Sequence, residues 1–221
     1  MQSIYSTLNF QLSTFNFQLS TLNFSQLSTK KMEFGWIEIV GACTGATYLI
    51  LEVRQNMWLW PVGLLNAIFY AVIFYSGGLY AIMTLQFYYM AMMIYGWYNW
   101  KKMQHVADES TESMRVIYVG SAKKWLILAA VTIAIWGMIY LLLSRFTDSV
   151  VPIWDALTTA LSIVGTWMLA KKYIEQWYVW IFVNLFSIWL YATQGLIITA
   201  FLYGFYAIMA VVGLFRWRKN L

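Results

Sequence analysis

Seven long apolar runs, at roughly 34–53, 58–76, 79–99, 124–144, 150–170, 177–194 and 196–216, dominate this chain of 221 residues. A helix needs about 20 mostly apolar residues to cross the hydrocarbon core of a bilayer. Only helices and closed barrels satisfy their backbone groups there, and these runs are too long and too unalternating for barrel strands. The pattern predicts an all-α membrane protein with seven transmembrane helices. Composition agrees. Apolar residues make up 62% of the chain and charged residues 10%, against about 25% charged in soluble domains, so a soluble fold would lack a polar shell. The turns around Ser76-Gly77-Gly78 and Gln194-Gly195 are short enough that the helices they join must be antiparallel neighbours.

Loop charge sets the expected orientation. Arg54, the Lys101–Lys124 segment, Lys171/Lys172 and the Arg216–Lys219 tail fall on one side and hold eleven of the fourteen Lys and Arg. Lys30, Lys31 and Arg145 fall on the other. The positive-inside rule therefore predicts an outside N-terminus and a cytoplasmic C-terminus. The net charge of +5 forms no continuous stripe, which argues against a nucleic-acid partner. One cysteine, Cys43, excludes an intrachain disulfide and a Cys-based metal site. The single histidine, His105, reads as a solvated loop residue. Residues 1–33 carry a low-complexity repeat (STLNFQL, STFNFQL, STLNFSQL) without the basic and apolar regions of a signal peptide. Because the membrane pattern begins just after it, Met32 stands beside Met1 as an expected start.

Many positions recur 117 residues apart without a gap. Glu38 pairs with Asp155, Arg54 with Lys171, Trp60 with Trp177 and Gly78-Leu79 with Gly195-Leu196. Tyr89 pairs with Tyr206, Gly96 with Gly213 and Trp100 with Trp217. Each copy covers three helices and one helix lies between them, so both copies start in the same sense. The expected architecture is two parallel three-helix repeats joined by a linker helix (3+1+3), related by a pseudo-twofold axis along the membrane normal as in SWEET-type carriers. The expected units are 34–100 for the first repeat, 101–149 for a cytoplasmic loop and the linker helix, and 150–221 for the second repeat and its basic tail.

Polar side chains deep in hydrocarbon are costly unless paired or facing a cavity, which makes them candidates for function. Asn66 in the second run, Gln86 in the third and Asn184 in the sixth each offer donors and acceptors suited to hydroxyl and amide groups. Their structural alternative is an ordinary interhelical hydrogen bond. Trp177, Trp180 and Asn184 are spaced three and four residues apart and so share one helix face. A tryptophan pair beside an amide makes a slot for a flat, electron-poor ring; the competing reading of Trp177 is an interfacial belt. Glu38 and Asp155 sit near the outer ends of their runs, as outer-gate groups or as solvated helix-end carboxylates. Gly41-x-x-x-Gly45 reads as a close-packing motif.

The pattern Trp177-x-x-Trp180-x-x-x-Asn184 resembles the WxxWxxxN/D signature of the PnuC family of nicotinamide riboside transporters. The first-half segments WPVGLLNAIFY, LYAIMTLQFYY and YGWYNW are also similar to that family, and the likeness runs over about 37–217. It implies a multi-pass protein of the bacterial inner membrane that imports nicotinamide riboside by facilitated diffusion, with a cytoplasmic kinase trapping the product. It implies that Trp177, Trp180 and Asn184 bind substrate, with Gln86 and Asn66 as neighbours, and it raises the prospect of a trimer. One departure is Ile82, where family members often carry an acidic residue. Thiamine, another cationic aromatic moved by relatives, remains an alternative substrate.

Other classes fit poorly. No P-loop is present, and no cofactor is expected. An intramembrane enzyme would need a nucleophile with its base or a metal set within the runs. A retinal-type sensor would need a lysine in the last run, where none precedes the terminal Lys219.

Overall fold

The computed structural model describes residues 35–76, 80–110, 116–146, 152–193, 195 and 197–219. The repeat upstream of Met32 and the Gly77-Gly78 turn lie outside the described residues. Seven helices are present among them: α1 (Gly35–Val53), α2 (Leu59–Ser76), α3 (Tyr80–Ser110), α4 (Ala122–Phe146), α5 (Pro152–Ala170), α6 (Gln176–Thr193) and α7 (Ile197–Arg218). By length and apolar content alone, α2, α4, α5 and α7 each contain a stretch able to cross a membrane. The bundle turns large apolar side chains outward, among them Phe201, Leu126, Phe215 and Ile208. Lipid is the solvent that makes such a surface stable.

Two elements differ from the sequence expectation. Helix α3 does not stop near 99 but continues to Ser110, about 46 Å of helix at 1.5 Å per residue. His105 accordingly lies on a helix rather than in a loop, and it remains exposed. The polar residues Lys101, Lys102 and Gln104 propagate the helix readily because straight polar side chains lose little freedom there. Further on, residues 116–119 return to the bundle as a strap. Ile117 N–H donates to the Lys172 carbonyl at 3.1 Å, and Ile174 N–H donates to the Ile117 carbonyl at 3.0 Å. Val119 N–H donates to the Glu175 carboxylate at 2.9 Å.

Helices α1, α2 and α3 pack in sequence order, α2 on α1 and α3, while α6 packs on α5 and α7. Two further contacts cross between these groups: α3 lies against α5, and α1 lies against α7. Helix α4 packs chiefly on α5 and buries none of its apolar stretch within the chain.

Contacts recur at the 117-residue offset. Gln55 and Lys172 both hold the left-handed backbone, with φ of 54° and 60°, a conformation uncommon outside glycine. Each closes the same turn: Gln55 N–H donates to the Glu52 carbonyl and Lys172 N–H to that of Leu169, while Asn56 and Tyr173 N–H donate to Leu51 and Met168. Trp60 at the start of α2 stands edge-on to Trp100, with ring centroids 5.3 Å apart at 85°. Trp177 at the start of α6 meets Trp217 at 5.5 Å and 85°. A Cβ at Gly96 would run into the Trp60 ring, and one at Gly213 into the Trp177 ring. Each indole is seated in a notch that only glycine leaves open.

The two sets are also tied across. Trp100 Nε1–H donates to the Leu169 carbonyl at 3.1 Å, and Trp217 Nε1–H donates to the Glu52 carbonyl at 3.1 Å. The Trp100 and Trp217 rings lie 6.0 Å apart. All four indoles are fully buried, each removing roughly 150–250 Å² of largely apolar surface from solvent. This cluster closes the end of the bundle that carries the 54–58 and 171–175 turns.

Candidate functional site

Immediately inside the indole cluster is a cavity of about 20 Å³, lined by Leu49, Glu52, Trp177, Trp180, Asn184, Tyr206 and Ala210. The three residues singled out on α6 therefore reach one space, as their spacing requires. Trp180 is buried, and its Nε1–H donates to the Gln176 side-chain carbonyl at 2.9 Å, one turn earlier. That bond fixes the ring's rotation, and the ring lies beside Gly165 on α5, where a Cβ would stand in ordinary contact at 3.5 Å. Trp177 serves two roles: it is seated on Gly213 and also walls the cavity. Its 1% exposure excludes the interfacial-belt reading.

The cavity wall carries polar atoms that the protein leaves unsatisfied. Asn184 Oδ1, Trp177 Nε1 and Glu52 Oε1 are buried without a hydrogen-bond partner in the protein, as is Nε2 of the adjoining Gln176. Buried polar groups are nearly always paired, because desolvating an unpaired one costs about 1–3 kcal/mol. Several such atoms around one space make it the candidate site for a polar ligand that would complete the bonding. The space itself has room for about one water molecule, so a nucleoside-sized ligand requires the helices to part.

Glu52 is the functional candidate that sequence reasoning missed. It lies in the last turn of α1 beside Arg54, where a carboxylate looks like a solvated helix end, and its repeat mate is the apolar Leu169. The structure turns it inward to 3% exposure, next to the Gln176 amide. Its one signal was its place within an apolar run. Gln86 and Asn66 are fully buried on α3 and α2, but neither lines this cavity. Asp155, in the first turn of α5, is 3% exposed and hence not a solvated carboxylate; it lies close enough to Tyr191 and Tyr203 to interact with both. Those two rings stack at 5.1 Å. Glu38 belongs to α1, and its side chain lies outside the described residues.

Cations gather outside the cavity. Lys172, on the α5–α6 turn, is buried with Nζ 5.1 Å above the Trp100 ring. Burial pulls its ammonium down to about 8, because a low-dielectric surrounding disfavours the charged form. Lys171 Nζ lies 5.2 Å above Tyr95. Among the described residues no group of three or more His, Cys, Asp or Glu could hold a metal ion.

Known proteins resemble this chain in sequence, and a solved structure shares its fold. The nicotinamide riboside transporter PnuC of Escherichia coli strain K12 is 27% identical, the match covering 84% of this chain and 86% of that one. The riboflavin/roseoflavin transporter RibM of Streptomyces davaonensis is 28% identical, over 82% of this chain and 84% of its own. A crystal structure of the vitamin B3 transporter PnuC superposes with a TM-score of 0.61 at 20% identity, covering 99% of this chain and 91% of that one. The profile of the nicotinamide mononucleotide transporter family matches residues 35–219, from the start of α1 to the end of α7. The seven-helix bundle, the buried α6 face and that end-to-end match lead to one conclusion: this multi-pass membrane protein belongs to the nicotinamide mononucleotide transporter family.

Proposed function

We propose that this protein imports nicotinamide riboside by facilitated diffusion, and that a cytoplasmic kinase retains the product as its phosphate. The observation that carries the reading is the cavity wall. Two indoles line it as partners for a pyridinium ring, and Asn184 Oδ1 stands unpaired to accept from its carboxamide. A cation stacked on a desolvated indole contributes roughly 0.5–2 kcal/mol. Relatives that carry nicotinamide riboside support the choice of ligand.

The 117-residue correspondence supports two parallel three-helix halves, 34–100 and 150–221, about a pseudo-twofold axis, with α4 as the linker. In this reading one half rocks against the other around the site, with access from each side in turn. The positive-inside rule puts the indole-cluster end in the cytoplasm and the N-terminus outside. Gln86 and Asn66 meet the substrate's ribose once the halves part. Asp155, with Tyr191 and Tyr203, belongs to the outer gate together with Glu38.

Counterflow in proteoliposomes tests the reading. Preloaded unlabelled nicotinamide riboside should accelerate entry of labelled riboside, and a protonophore should leave the rate unchanged. No counterflow with the riboside would sink the substrate assignment; loss of uptake with the protonophore would replace uniport by ion coupling.

A further inference from the structure

Among the described residues Glu52 is the one acidic group lining the cavity, and no cationic side chain stands with it there. The cavity lining contains no lysine or arginine. Its Oε1 makes no hydrogen bond within the protein, although the residue is buried to 3% exposure. Burying a carboxylate is costly unless a partner of opposite charge accompanies it. Trp177 and Trp180 line the same space, so an acidic group and two aromatic rings stand together on a cavity whose lining carries no cationic side chain.

We infer that Glu52 is the charge-selecting residue of this transporter, admitting a cationic aromatic nucleoside and refusing both its uncharged and its phosphorylated forms. The inference rests on the reading of the cavity as the substrate site, and it adds a consequence. Nicotinamide riboside carries one positive charge, on its pyridinium nitrogen. Phosphorylation of the ribose adds close to two negative charges and makes the ligand a net anion. The lining offers no basic residue to pair with that anion, so it would lie without a counter-charge beside an acidic group in a low-dielectric space. The same carboxylate that draws the substrate in therefore keeps the phosphorylated product from returning. Net entry then follows from consumption of the riboside by the kinase, with no ion gradient needed.

The test compares purified wild type with Glu52→Gln, which keeps shape and hydrogen bonding but removes the charge. The Glu52 backbone carbonyl that holds Trp217 is untouched by the change. Binding of three probes is measured: nicotinamide riboside, its reduced dihydro form, which differs by a hydride and carries no charge, and thiamine. Wild type should prefer the oxidised over the reduced riboside by about tenfold or more. Glu52→Gln should bring the two within about threefold by weakening the cation alone. Equal affinities in the wild type overturn the inference without reference to any variant, as does a Glu52→Gln protein that keeps the full preference. Thiamine binding that depends on Glu52, with no riboside binding, leaves charge selection standing and removes the substrate assignment.

Discussion

The stretches before and after the 117-residue offset, here the first and second halves of the chain, repeat the same contacts and differ in chemistry. Trp60 and Trp177 sit on Gly96 and Gly213, Trp100 and Trp217 bond to opposite helix ends, and Gln55 and Lys172 turn the chain alike. Where the first half has Gly63 and Ala67, however, the second has Trp180 and Asn184. Packing compensates. In the first half Tyr48 and Met93 close over Gly63, within 2.7 Å of where its Cβ would stand. Their repeat mates are Gly165 and Ala210, so Trp180 takes up the volume and a cavity remains beside Ala210. Large and small residues have exchanged places, the kind of compensating swap cores tolerate best. Matched positions hold the bundle together, and the unmatched Glu52, Trp180, Asn184 and Ala210 join the matched Trp177 and Tyr206 in lining the cavity.

That division can be broken, and the largest effect should come from its scaffold. Trp60→Ala removes a fully buried indole that lines no part of the cavity and should cost about 3–5 kcal/mol of stability. Thermal melting in detergent checks it; a Trp60→Ala protein that melts like wild type would refute the shared-scaffold account. Next comes Trp180→Ala, which should weaken nicotinamide riboside binding by about 2 kcal/mol, near thirtyfold, while the protein stays folded. Titration calorimetry beside a melting curve separates the two outcomes. Asn184→Ala should cost about 1 kcal/mol of binding, near fivefold. Its mate position is already alanine, so the helix itself should not suffer.

The smallest effect concerns the turn that Lys172 shares with Gln55. A lysine near 8 when folded, against an ordinary 10.5, binds fewer protons folded than unfolded between those values. Stability should therefore rise as pH climbs through that window, the penalty being complete below it. Lys172→Met should abolish the rise; a rise that persists in the variant would assign it to another group.

The sequence carries the seven helices and the repeat because apolar length and fixed spacing are local, countable signals. It also carries the α6 face, since three- and four-residue spacing fixes which side chains align. Glu52 escaped because its meaning lies in tertiary packing: one helix turn decides whether a carboxylate beside Arg54 meets water or a cavity. Lys172 escaped for the same reason, read as a loop charge and found buried over Trp100. The extension of α3 to Ser110 was hidden by the change from apolar to polar residues at Lys101, which ends a membrane run without ending a helix. Trp177 shows the limit of motif reasoning, because only its pairing with Trp60 reveals that the same ring is scaffold as well as wall.

An experimental structure with nicotinamide riboside bound tests the central claim most directly. The account predicts one ring per chain, laid against Trp180 with Asn184 and the Glu52 carboxylate in contact. A ring lodged beside Gly63 and Ala67, or two equivalent rings in the two halves, would contradict it.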